Sequence, residues 1–143
     1  MELPKELADA IRTGSLRRDR GSWPLRVAFD AYGNPLETEL GEVYDLAQMV
    51  KDSASLPDHF RDEYVDAPLQ FSGPGGIPAI RDFTQIVAFA IAGDGAPFCL
   101  DYRDGTDAPS VLWWDDVYWR RVAPDFSAFL ALFDLSTPQR PNG

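Results

Sequence analysis

The sequence predicts one α+β domain, and three observations carry that prediction. Residues 85–122 hold four short apolar segments separated by turn-rich ones. Apolar residues at helical spacing stand near both ends of the chain. No internal repeat or linker-like stretch divides it. At 143 residues, with 45% hydrophobic and 13% aromatic side chains, the chain has the material for a real core. A domain of this size buries about two-thirds of its unfolded surface. The domain is expected to span residues 1–135, with the polar STPQRPNG end, 136–143, as a flexible tail.

Taken in order, Leu3, Leu7 and Ile11 recur at helical spacing and Pro4 suits a first-turn position, so a short helix should end near Gly14. Arg17, Arg18 and Arg20 follow; without interleaved aromatics they read as a solvated loop rather than a phosphate patch. Trp23-Pro24-Leu25 should anchor this segment to the core, and Gly33-Asn34-Pro35 should turn the chain. Residues 37–44 read as a strand or an irregular edge. Asp45 is an N-cap candidate for a helix carrying Leu46, Met49 and Val50, with Met49 as core filling. From Ser53 to Pro78 the composition is loop-like, with one or two helical turns over Asp58 to Tyr64.

Gln85 to Ala92 reads as a buried strand, turned by Gly93-Asp94-Gly95 into a second strand over Pro97 to Tyr102. A polar turn from Arg103 to Pro109 leads to a third strand, Val111 to Asp115, and a fourth, Tyr118 to Val122. Asp125 caps a final helix in which Phe126, Phe129, Leu130 and Phe133 fall at i, i+3, i+4 and i+7, a stripe that must pack on the sheet. Strand alternation sets Leu112 and Trp114 on one face and Trp113 on the other. Trp113 is then partly exposed if one face is covered, and buried if both are.

The composition removes several chemistries. His59 is the only histidine, beside Asp58 in an expected surface turn, and no serine sits in a G-x-S-x-G elbow. Cys99, the only cysteine, lies within an apolar strand and reads as an inert buried thiol. One Cys and one His are too few for structural zinc. Asp101, Asp104, Gly105 and Asp107 cluster, but an EF-hand register would place Leu100, Tyr102 and Val111 at ligand positions. Gly73-Pro74-Gly75-Gly76 lacks the Lys-Ser/Thr of a phosphate loop, so no cofactor is expected. Adjacent Asp115 and Asp116 point to opposite faces of a strand and do not form a catalytic pair.

Charge and context narrow the partner. The chain carries 13 basic and 23 acidic side chains, a formal net charge of −10, with net +1 in residues 1–30 and net −11 in the remainder. Such a field repels nucleic acid and anionic lipid and favours a basic protein partner. The acidic N-terminus lacks an apolar signal core, and the longest apolar run, 86–93, is too short to span a bilayer. With a single cysteine, these features predict a cytoplasmic protein. Six Asp and one Arg fall between Asp94 and Asp116. They read either as turn-formers chosen for local hydrogen bonding or as an edge that steers a basic partner. On the second reading the candidate partner contacts are Asp94, Asp104, Asp107, Trp113, Asp116 and Tyr118.

Gly93-Asp94-Gly95, Phe98-Cys99-Leu100-Asp101-Tyr102, Trp114-Asp115, Val122-Ala123, Phe126 and Phe129-Leu130 together resemble the SUKH superfamily, Smi/Knr-type, named for yeast cell-wall-assembly regulators. The strong match covers about residues 83–133, and Leu3-Pro4 stands for the family's leading helix; residues 32–76 depart most, and Asp125-Phe126 replaces a Ser-Phe. The resemblance implies a mixed, mostly antiparallel sheet flanked by N-terminal and C-terminal helices. It implies structural roles for Trp114, Phe126, Phe129 and Leu130, and turn-capping by Asp94 and Asp101. It also implies a non-catalytic immunity protein that binds and neutralises a cognate bacterial toxin, a basic toxin domain being the partner suited by charge. The alternative is a cytoplasmic regulatory or scaffold module with an endogenous partner; a carboxylate-based enzyme comes third.

Overall fold

The apolar segments of the second half of the chain, with two from the first, form one antiparallel meander. The computed structural model describes residues 2–17, 22–61, 74–105, 108–115 and 118–135. Along the chain run α1 (Lys5–Thr13), β1 (Trp23–Pro24), β2 (Glu39–Val43), α2 (Leu46–His59), β3 (Ile86–Ala92), β4 (Pro97–Asp101), β5 (Ser110–Asp115), β6 (Tyr118–Ala123) and α3 (Phe126–Leu130). The six strands lie in sequence order, β1-β2-β3-β4-β5-β6, and each pairs antiparallel with its neighbour. The α+β class and the mostly antiparallel character of the sheet are as expected; where a mixed sheet was implied, every pairing among the described strands is antiparallel. The expected strand at 37–44 is β2, regular except for a bulge between Leu40 and Glu42.

Helices cover both faces, which decides the fate of the two tryptophans. Phe98 stands opposite Trp113 in the β4–β5 register, so the two share a face. On that face Phe129 of α3 meets Phe89, Phe98, Phe126 and Phe133, with ring centroids 5.0–5.8 Å apart. Trp114 points the other way, to Trp119 at 5.3 Å and to Phe60, just past α2, at 5.7 Å. The indole N–H of Trp119 donates to the Phe60 carbonyl at 2.8 Å and ties the end of α2 to β6. Trp113 is therefore 6% exposed and Trp114 9%. The open aromatic that one covered face would have left at Trp113 does not exist.

A bulge in β3 joins the two layers. Ala88 pairs with Cys99 and Ala90 with Phe98, so Phe89 is the extra residue. The Ala88 N–H donates instead to Ser53 Oγ of α2, at 2.9 Å. That bond explains a correction to the sequence reading. The chain from Ser53 to His59 is helical, not loop, because Ser53 and Leu56 continue the inward face begun by Met49. Pro57 lies in the last turn, where little helix remains for it to break. Leu46 and Val50 face solvent, 58% and 73% exposed. Asp45 caps α2 and Asp125 caps α3, each carboxylate accepting a backbone N–H at 2.8 Å. In α3 the inward residues are Phe126, Phe129 and, just beyond, Phe133; Leu130 is only half-buried.

At the N-terminus α1 begins after Pro4 and ends at Gly14, which takes the left-handed φ of 66°. Trp23, in β1, is 2% exposed and anchors its segment as expected. On the outer side of β6, Arg121 N–H donates to Gly75 O at 2.8 Å, and Ala31 N–H donates to Val122 O at 3.0 Å. Residues 18 and 20 of the arginine run, the unassigned part of the central loop at 62–73, and the expected tail at 136–143 lie outside the described residues.

Cys99 is fully buried, and burial, reinforced by the Asp101 and Asp52 carboxylates, pushes its thiol well above the usual range. We expect the native protein to resist Ellman's reagent and to react fully once unfolded in urea. Prompt labelling of the native state would contradict a closed core at this strand.

Candidate functional site

In a meander, successive turns alternate between the two ends of the sheet. The β3–β4 turn and the β5–β6 junction share one end; the β4–β5 turn lies at the other. The acidic run from Asp94 to Asp116 is therefore not one edge. Asp94 belongs to the first end and Asp104 to the second, while Asp107 and Asp116 lie outside the described residues.

The first end opens a groove of about 650 Å³. Glu37, Asp94 and Asp115 supply carboxylates, Phe60, Trp113 and Trp114 supply aromatic walls, and Pro35 and Arg120 close it. Each piece has a local cause. Asp94 sits in the Gly93–Gly95 turn, accepts the Ala96 N–H at 3.1 Å, and is followed by Gly95 at φ 96°, a value that favours glycine. At Gly93 an added Cβ would stand 2.0 Å from Glu39 Oε1, so the Glu39 side chain would have to swing aside. Asp115 ends β5, and its Oδ2 accepts the Tyr118 hydroxyl at 3.0 Å. Tyr118 thus acts through Asp115 and has its phenol pKa raised by partial burial and by that carboxylate.

Arg120 is the cation under the groove, and only 2% of it is exposed. Its Nη2 donates to Pro35 O at 2.9 Å, its Nη1 lies 3.8 Å from Asp30 Oδ2, and its Nε lies 3.5 Å from Asp115 Oδ2. The guanidinium also lies 5.3 Å from the centroid of the Trp113 ring. Asp30 in turn accepts the backbone N–H groups of Tyr32 and Asn34, at 2.8 and 3.0 Å. Arg120 thereby staples the 30–35 loop, which builds one wall of the groove, to β6. Its charge is spent internally, so Glu37 and Asp94 set the sign that a visitor meets.

The second end is different in character. Asp101, 4% exposed, accepts from the Arg103 backbone N–H, Nε and Nη2 at 2.9–3.0 Å, and Arg121 Nη2 lies 3.4 Å away. Asp94 and Asp101 both cap turns, as the resemblance implied. Asp104 lines a smaller recess of about 380 Å³ beside Tyr32 and Arg121. Two arginines answer its carboxylates, which makes it a poorer magnet for a cation. Burial alone would raise the Asp101 pKa, but the Arg103 contacts outweigh it and hold the carboxyl below its usual value. A depressed folded-state pKa stabilises the fold above the unfolded Asp pKa of about 3.9 and is lost as pH falls through the folded value. Arg103→Leu should therefore unfold at a higher pH in an acid titration followed by circular dichroism. Coincident wild-type and variant acid transitions would contradict this.

Residues 3–132 match the SMI1 / KNR4 family (SUKH-1). The chain belongs to that family. The match covers the whole sheet and all three helices, including residues 32–76, where the sequence patterns alone gave least guidance. Comparison with curated proteins and with solved structures gave no match. Membership supports a protein-interaction role for the chain. Among the described residues, no group of three or more His, Cys, Asp or Glu is placed to hold a metal ion. No helix among them is long and apolar enough to cross a membrane.

Of the six candidate contacts, the groove brings together Asp94 and Trp113 and reaches Tyr118 through Asp115. Sequence reasoning missed Pro35, Glu37, Phe60 and Arg120 as site residues. For Pro35 and Glu37, in the β1–β2 connection, the one signal was topological: a meander puts every second turn at the same end.

Proposed function

We propose that this SUKH-1 member is a non-catalytic cytoplasmic binding protein that seats a protein partner at the Glu37–Asp94–Asp115 groove. The partner we propose is a basic bacterial toxin domain, which binding neutralises. The observation that carries the reading is the groove itself: an acid-rimmed, aromatic-walled cleft on a chain of net charge −10. Such a surface steers a basic protein toward it and gives it aromatic contacts on arrival.

A carboxylate-based enzyme is the less economical reading of the same cleft. Asp94 uses an oxygen to cap its turn, Asp115 Oδ2 is held by Tyr118 and Arg120, and Glu37 is open to solvent. General acid–base work draws on a carboxyl that is free to exchange a proton with a desolvated substrate, and this supports binding instead.

The test is co-expression with the toxin candidate encoded beside this chain, together with binding measured across a salt series. We expect rescue of growth, and an association rate that falls as ionic strength rises. Absence of rescue with every neighbouring candidate, together with capture of a housekeeping protein from uninduced cells, would replace the toxin with an endogenous partner.

A further inference from the structure

The groove asks for two opposite things from whatever enters it. Its open rim, Glu37 and Asp94, is made of acceptors that carry charge and attract a cation. One of its walls needs an acceptor: the Trp113 indole Nε1 is buried and has no hydrogen-bond partner among the described residues. A buried donor left unpaired forfeits the hydrogen bond it had with water, so natural proteins rarely keep one without a use. A simple cation answers the rim and leaves the indole unpaired. An apolar ligand answers neither and would strip water from the carboxylates. A nucleic acid brings acceptors for the indole but is repelled by the rim.

One common group satisfies both requirements, a cationic residue carried on a peptide backbone. We propose that the groove takes a single arginine of the partner protein, its guanidinium meeting the Glu37 and Asp94 carboxylates and a neighbouring peptide carbonyl accepting from Trp113 Nε1. Arginine suits this cleft better than lysine because its planar head stacks on aromatic rings and pairs with carboxylates in two directions. Phe60 and Trp114 offer those rings, since the face of Trp113 is already taken by Arg120. The cleft also has room for the residues that flank the arginine. Phe60 and Gly95 line an adjoining recess of about 320 Å³ as well, which carries a further carboxylate, Asp52.

The probe is acetyl-Gly-Arg-Gly-amide, titrated into the full chain while the indole N–H resonances of the four tryptophans are followed by NMR. The Trp113 resonance is identified by its loss in Trp113→Phe. We expect it to move and saturate in the millimolar range. The affinity should fall about three- to tenfold in the Glu37→Gln, Asp94→Asn double variant, as two exposed ion pairs would give. Both substitutions are on the surface, and asparagine keeps the turn-capping oxygen of Asp94. Asp104→Asn, at the other end of the sheet, should leave the affinity unchanged. The citrulline analogue, with the same carbonyls and no charge, should bind more weakly by a similar factor.

A Trp113 resonance that stays still to tens of millimolar overturns the assignment. Equal binding of the citrulline peptide, or an equal loss in Asp104→Asn, does the same. The assignment rests on the binding role proposed above but fails separately from it. A partner that binds the double variant with undiminished affinity removes the groove and leaves the binding role standing. Peptide binding without toxin neutralisation supports the groove and removes the toxin.

Discussion

Phe129→Ala is expected to destabilise the domain by about 3–5 kcal/mol, the usual range for emptying a buried aromatic site. Phe129 is fully buried and touches Phe89, Phe98, Phe126 and Phe133, so the void would open at the centre of one whole layer. Phe126 lies in the five-residue helix α3 and Phe133 just beyond it, so the same void would loosen the seat of that helix on the sheet. Against a total stability of about 5–15 kcal/mol for a domain of this kind, the variant would be marginal. Urea denaturation followed by fluorescence measures the loss. Val50→Ala, at a position 73% exposed, is the companion measurement and should change stability by no more than about 0.5 kcal/mol. A similar loss in both would mean that the packed face of the sheet has been misplaced.

Arg120→Leu should cost a comparable 3–5 kcal/mol or so, for a different reason. The side chain of Asp30 is 0% exposed, and removing the guanidinium leaves a buried carboxylate with no opposite charge close by among the described residues. The Pro35 carbonyl loses its donor at the same time. A second substitution separates charge from packing. Asp30→Asn keeps the Oδ1 acceptor used by Tyr32 and Asn34 but removes the charge, so it should restore a large part of the loss in the Arg120→Leu background. The cycle is read by urea denaturation of the four proteins. An Asp30→Asn substitution that deepens the loss would show that the pair is held by shape rather than by charge.

Much of this fold was legible because its local signals agree with one another. The Gly93-Asp94-Gly95 turn, the Asp125 cap and the phenylalanine spacing of the last helix each state in sequence what the backbone does. The middle of the chain was harder for identifiable reasons. Ser53 lies on the buried face of α2, yet it is polar, and its task is to satisfy the Ala88 N–H that a bulge 35 residues away leaves open. Leu46 and Val50 have the right spacing and the wrong exposure, because the inward face continues through Ser53 and Leu56. Proximity along the chain also misled the site. The aspartates between Asp94 and Asp116 look like one patch until the meander sends its turns to alternate ends. The groove's other wall comes from Pro35 and Glu37, where nothing in the residue pattern announces a site.

The two backbone contacts along β6 bear on how copies of this chain behave when crowded. An uncovered final strand of six residues would offer its free amides and carbonyls to the same strand of another molecule, the usual start of edge-to-edge aggregation. Here Gly75 and Ala31 occupy that side, and Gly75 is placed for the task as no larger residue is. At its φ of 94° an added Cβ would stand 2.5 Å from the Arg121 carbonyl oxygen. Gly75→Ala should therefore lift the strap off β6 and raise light scattering in concentrated solution, while the core beneath stays folded. In concentrated solution, that one glycine is a guard on solubility.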